Sequence, residues 1–227
     1  VRGYCLEERT QWKIMFTGPQ YRIDWAQNLN IPEPDTLDDW YNLLVAFRDN
    51  DPNGNGQKDE LPLIAQKNLD AWAAPFGVLV GFYLKGDKVD YGFLQPEFRE
   101  YLETMSKWYA EGLIDKDYLA TDGNMFKNKM VSNLGGAYIG GIGGNFGGFT
   151  QAFEEQYGNK DVLMAAKWPI NSEGKRYTNE ATRKNLGMGS GIAITTTNKY
   201  PKESAKFCDL AFREDVYDML NFGEEGV

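Results

Sequence analysis

Apolar residues recur at helical spacing in two stretches of the chain. Leu37, Trp40, Tyr41, Leu44 and Phe47 fall on one face if the segment coils as a helix. Thr36 precedes them as an N-cap, with Asp39 three residues on, close to a capping box. Phe98, Tyr101, Leu102, Met105, Trp108 and Tyr109 form a second stripe, opened by Pro96 and closed by Gly112. Alternation of Trp12, Ile14 and Phe16 with polar neighbours predicts a strand that Gly18-Pro19 ends, and Tyr21–Leu29 suit a short helix. Further strands are expected at Ala137–Ile139, Asp161–Lys167 and Gly191–Thr196, with a hairpin turn at Gly86-Asp87. Helices should carry Phe149, Phe153 and Tyr157, then Ala205, Cys208, Ala211 and Phe212 after Pro201, and lastly Val216, Tyr217 and Leu220. Strands alternate with helices, which predicts an α/β fold whose mixed, mostly parallel sheet is flanked by helices.

The first helix runs into Asp-Asn-Asp-Pro-Asn-Gly-Asn-Gly-Gln-Lys-Asp-Glu at 49–60. Oxygen-bearing side chains alternate there with glycines placed where the backbone must turn. A hard cation such as Ca²⁺ takes about six to eight oxygens, and a loop of this kind can wrap one. Counted from Asp49, the stretch satisfies D-x-[DN]-x-[DN]-G-x5-E with Gly54 at the turn and Glu60 closing. Counted from Asp51, the donors are Asp51, Asn53, Asn55, the Gln57 carbonyl, Asp59 and Glu60, with Gly56 at the turn. The second frame is preferred, because the first places Gly56 where paired EF-hands carry an apolar residue, and Pro62 bars a following helix. The competing reading is a polar turn that only ends the helix. A single loop suits a structural clip rather than a sensor.

Composition narrows the function. The formal net charge of −9 opposes nucleic acid and anionic membranes as partners. With no histidine, the Ser-His-Asp triad and most zinc chemistry are removed. Cys5 and Cys208 are too few for a disulfide framework; two separately buried thiols are expected, with pairing open only if the fold brings both ends together. No apolar run reaches the length of a membrane span, and no stretch reads as a signal peptide. The abrupt ends at Val1 and Val227 point to a piece of something longer. Glycines crowd residues 135–148, yet neither a Walker motif nor G-x-G-x-x-G is present, so they are read as a loop passing close to a ligand or another backbone.

Several segments, taken in order, resemble the extracellular solute-binding proteins of bacterial ABC importers, of the maltose-binding type and its lipoprotein branch with alginate- and oligosaccharide-binding members. They include Tyr21-Arg22-Ile23-Asp24-Trp25, Pro34-Asp35-Thr36-Leu37-Asp38-Asp39-Trp40, the Asp51–Leu63 stretch, Tyr109–Asp115, and Ile194–Asp209. The resemblance implies a type II periplasmic-binding-protein fold of two hinged lobes, of which this chain lacks the first part of one. Residues 1–12 would end a first-lobe segment and form the hinge, 13–185 the second lobe, and 186–227 a return to the first. It further implies Ca²⁺ in the second loop frame, permease subunits as partners, and a cell-surface lipoprotein or periplasmic location.

The leading expectation is then capture of an oligosaccharide for import, with closure driven by contacts to both lobes. Sugars present apolar C–H faces and polar hydroxyls, so aromatic rings beside polar groups suit them. Trp12, Trp72, Tyr138, Asn145 and Trp168 are the candidates, against core packing for each tryptophan. The rivals are a glycoside hydrolase working through two carboxylates, for which no pair stands out, and a calcium-stabilised adhesion module.

Overall fold

The computed structural model describes residues 4–5, 7–8, 17–67, 69–85, 88–178 and 193–210, with single positions at 213, 216, 219 and 223. In chain order the elements are β1 (Tyr4–Cys5), β2 (Glu7–Glu8), β3 (Thr17–Arg22), α1 (Ile23–Asn28), α2 (Leu37–Asp49) and β4 (Leu61–Leu63). A 3-10 segment at Asp70–Phe76 leads to the hairpin β5 (Phe82–Lys85) and β6 (Lys88–Tyr91), then α3 (Pro96–Ala110) and α4 (Gly123–Val131). Next come β7 (Gly135–Gly141), a π-helical turn at Ile142–Phe146, α5 (Gly147–Tyr157), β8 (Leu163–Ala165), β9 (Tyr177–Thr178) and α6 (Pro201–Leu210). The chain divides into two units, Val1–Thr182 and Arg183–Val227.

Both striped helices form, for the reasons their sequences carry. Thr36 Oγ1 accepts the Asp39 N–H at 3.0 Å while the Asp39 carboxylate accepts the Thr36 N–H at 2.9 Å, closing the capping box at the start of α2. The face of α2 buried below it is Trp40, Leu43, Leu44 and Phe47. Pro96 occupies the first turn of α3, and Gly112 leaves its far end at a φ of 74°, a left-handed value that suits glycine. Phe98, Tyr101, Met105 and Trp108 are buried, whereas Leu102 and Tyr109 lie at the edge of the stripe and are exposed. The α4 helix, not foreseen, is capped by Asp122, whose carboxylate accepts the Asn124 and Met125 N–H groups at 2.9 and 2.8 Å.

The main sheet has the order β4-β7-β3-β8. It is mixed: β4 runs parallel to β7, while β3 is antiparallel to both β7 and β8. Parallel pairing therefore does not dominate among the described strands, because β3 finds its partners far along the chain rather than across one helix. Pro19 does not break β3. Its carbonyl accepts the Ala166 N–H at 2.9 Å, and its missing N–H falls at the end of the ladder with β8, just past the Gln20–Ala165 pair, so only one terminal bond is lost. The expected strand over Trp12–Phe16 lies outside the described residues, as do Ala211, Phe212, Tyr217 and Leu220. The described part of Gly191–Thr196, residues 193–196, is not a strand.

Alternation along the sheet separates two cores. Tyr21 and Ala137 face a cluster with Trp25, Trp40, Phe47, Trp72 and Trp108. Tyr138 faces the opposite cluster, with Phe126, Phe149 and Phe153. The first cluster is built of edge-to-face rings: Trp40 and Trp72 meet at 5.2 Å and 78°, Trp72 and Trp108 at 5.8 Å and 71°. Gly136 lets α2 and α1 close on the sheet, since a Cβ there would lie 2.6 Å from Phe47 and 3.1 Å from Trp25.

Candidate functional site

The loop after α2 is held by its own side chains. Asp51 accepts the Asn55 N–H at 3.0 Å and the Gly56 N–H at 2.7 Å. Asn53 Oδ1 accepts the same Asn55 N–H at 3.0 Å, and Asn55 Oδ1 accepts the Gln57 N–H at 2.7 Å. Gly54 and Gly56 take left-handed φ values of 71° and 76°, so both turns demand glycine. The amide groups of Asn53 and Asn55 donate to Asp59 Oδ1 at 3.4 and 3.1 Å, drawing that carboxylate inward.

Glu60 is the anomaly of the loop. Both its carboxylate oxygens are shut off from solvent, and neither has a hydrogen-bond partner. Burial raises its pKa, and the nearby Asp59 and Asp51 charges push the same way; the N–H groups of Asp59 and Glu60 itself pull against this without reaching hydrogen-bond geometry. A buried carboxylate without a donor is a poor arrangement by itself, and a hard cation is a group that would satisfy both oxygens. Asp49 is engaged elsewhere: Arg48 binds both its oxygens at 2.7 and 2.9 Å, and this contact holds its carboxyl below the usual range. Among the described residues no three acidic, thiol or imidazole side chains stand close enough to hold a metal ion. Three of the expected donors, at Asn53, Asn55 and Gln57, are amide or main-chain oxygens.

A second feature lies at the carboxyl ends of β4 and β7, which run parallel, the place where open α/β sheets bind ligands. A recess of about 210 Å³ opens there among Ile64, Gln66, Leu69, Trp72, Phe126 and Ile139. The glycine-rich segment follows β7. Gln20 Nε2 donates to the Gly140 carbonyl at 2.7 Å, and Asn145 Oδ1 accepts the Gly141 N–H at 3.1 Å, which pins the turn. Nothing lies within 4 Å of where a Cβ would stand at Gly143, Gly144 or Gly148, so open space borders them.

The aromatic candidates are placed differently from expectation. Trp72 is only 1% exposed and packs between Trp40 and Trp108, contributing to the recess floor but offering no free face. Tyr138 is wholly buried against Phe126 and Phe149, and burial pushes its phenol pKa up. Trp168 is also wholly buried, its carbonyl receiving an Arg176 N–H. All three rings are buried, Trp72 on the 3-10 segment, Tyr138 on β7 and Trp168 beyond β8, and spacing alone does not reveal that burial. Asn145 is partly exposed and spends its side-chain oxygen inside the glycine turn. Trp12 lies outside the described residues. Gln66, Leu69, Phe126 and Ile139 were missed; the available signal was the polar Gln66-Lys67-Asn68 directly following the apolar Leu61–Ala65.

No family model matches the chain. Sequence comparison finds lipoprotein LipO of Bacillus subtilis, 29% identical over 218 residues, covering 90% of this chain and 42% of LipO. The fructooligosaccharide ABC transporter substrate-binding protein FusA of Streptococcus pneumoniae is 28% identical over 218 residues, 89% of this chain and 37% of FusA. By sequence, then, the chain is similar to a lipoprotein and to an ABC transporter substrate-binding protein. A further relative is the polygalacturonan/rhamnogalacturonan-binding protein YtcQ of B. subtilis, 25% identical over 211 residues, 91% of this chain and 42% of YtcQ. Alginate-binding protein AlgQ2, solved without calcium ion, superposes with a TM-score of 0.58 at 25% identity, covering 93% of this chain and 44% of AlgQ2. FusA in complex with kestose superposes at 0.66 with 22% identity, covering 99% of this chain and 47% of that one. The fold is that of type II periplasmic binding proteins, α/β with a mixed sheet flanked by helices. The chain spans less than half the length of these relatives.

Proposed function

We propose that this chain is part of the substrate-binding component of an ABC importer, that it captures oligosaccharide rather than transforming it, and that Ca²⁺ clips the Asp51–Glu60 loop. The observation that carries the first reading is similarity to FusA and YtcQ across about nine-tenths of the chain. The recess at the ends of β4 and β7 would supply one wall of the sugar site, with the bare glycine turn beside it. Its volume falls below the roughly 300–1,000 Å³ of complete small-ligand pockets, which fits a wall that a second lobe completes. The partners would be permease subunits, and the location the outer face of the cell membrane through a lipid anchor, in keeping with a relative named a lipoprotein. Isothermal calorimetry of the full-length protein against a glycan panel tests this: heat of binding with no reducing sugar released is expected, and steady release would establish a hydrolase instead.

The cation reading is supported by the unpartnered Glu60 carboxylate and by Asp51 and Asp59 turned toward the same loop. Asp51, Asn53, Asn55, Asp59, Glu60 and the Gln57 carbonyl would hold the ion. Engagement of Asp49 by Arg48 favours the frame that starts at Asp51. An ion bound there would tie the end of α2 to the entry of β4 and so stiffen the sheet edge beside the recess.

A further inference from the structure

Among the described residues, the recess at the ends of β4 and β7 has no charged wall. Apart from Gln66, its lining is aliphatic or aromatic: Ile64, Leu69, Trp72, Phe126, Ile139 and two alanines. Among the described residues no lysine, arginine, aspartate or glutamate lines it. Lys129, on the same helix as Phe126, is committed to Asp115 and to Thr121 Oγ1, the latter at 2.9 Å. A sugar carboxylate brought against this wall would lose hydration and meet an amide in place of a cation, which is unfavourable. A neutral hydroxyl loses less and gains more, because the carboxamide of Gln66 both donates and accepts. The chain's net charge of −9 repels polyanions at longer range as well.

We propose that this wall selects neutral oligosaccharides over uronate-containing ones, with Gln66 as the specificity-determining side chain. The inference rests on the sugar-capture reading above and sharpens it, since the relatives divide between a fructooligosaccharide binder and a polygalacturonan/rhamnogalacturonan binder.

The test is calorimetry of the full-length protein with kestose, maltotriose and xylotriose as neutral probes, and with trigalacturonate and trimannuronate as acidic ones. At least one neutral sugar should bind, with every acidic probe weaker by about tenfold or more, as one unfavourable contact of this kind implies. Gln66→Arg should weaken the neutral ligand and narrow that gap; Gln66 is exposed, so the substitution leaves the fold intact. An acidic probe binding as tightly as the neutral ones would overturn the selectivity while leaving sugar capture standing. Neutral affinity and selectivity both unmoved by Gln66→Arg would overturn the assignment to this recess. No binding by any probe would overturn sugar capture itself.

Discussion

The guanidinium of Arg22 lies 4.8 Å from the ring centre of Phe153, so a charged group at the end of β3 is packed over an aromatic of the second core. Its other face covers Trp25, from the first core, at 4.6 Å. Asp24 and Asn133 bind its N–H groups. Only 4% of the Arg22 side chain is exposed, yet its charge is matched and its donors are used. The residue thus joins the two sides of the sheet at the strand end nearest the Asp51–Glu60 loop, since Asn133 also accepts from Asn53 through its carbonyl, at 3.2 Å.

Replacing Arg22 with methionine should therefore cost roughly 3 kcal/mol, the scale for removing one partner of a buried ion pair together with its ring contacts. Urea unfolding measures it. A double-mutant cycle with Phe153→Leu should show positive coupling, and strict additivity would deny that the two cores communicate through this side chain.

Glu60 provides a pH signature. Its carboxyl titrates above the ordinary glutamate value of 4.5 through burial and the neighbouring Asp59 and Asp51 charges. In chelator the folded protein binds this proton more tightly than the unfolded chain, so the stabilisation is complete below 4.5 and is lost as pH rises through the folded value. Near neutral pH, Glu60→Gln in chelator should melt above the wild type. In millimolar Ca²⁺ the order should reverse, with the wild type gaining several degrees that the variant does not, as for any ligand bound only by the native state. Asp51→Ala should lose the same increment, and melting curves insensitive to calcium in all three proteins would leave the loop as a turn alone.

The capping box of α2 gives a smaller effect. Thr36→Ala removes the acceptor for the Asp39 N–H and should destabilise by about 1 kcal/mol, with Thr36→Ser close to neutral. Thr36 holds the Asp39 carboxyl below its ordinary value of 3.8, so that contribution is present above 3.8 and fades as pH falls through the folded value. Thermal melts from neutral pH downward should show the gap between variant and wild type narrow at the acid end, while the part due to the Thr36 Oγ1 bond to the Asp39 N–H remains.

Gly136→Ala should be severe. The added methyl would stand 2.6 Å from Phe47 and 2.9 Å from the Pro62 carbonyl, and the latter is backbone of the neighbouring segment. A loss of about 2–3 kcal/mol is expected from such overpacking. Gly143→Ala, where nothing approaches the added carbon, should melt with the wild type; equal losses at both positions would contradict the packing described here.

What the amino-acid sequence determined by itself was local. The helices α2 and α3, their starts at Thr36 and Pro96, the antiparallel pairing of β5 with β6 and the oxygen-rich loop all depend on neighbours within a turn or two, and periodicity and turn chemistry report those directly. The tertiary structure decided what depends on distant partners. Pro19 stands inside a strand because its missing N–H falls where the ladder with β8 ends; Trp72, Tyr138 and Trp168 are core because sheet and helices close over them; and Gln66 faces a recess because β4 ends beside β7. A tryptophan carries the same pattern whether it waits for a sugar or for another ring, and only the folded chain shows which surface is covered.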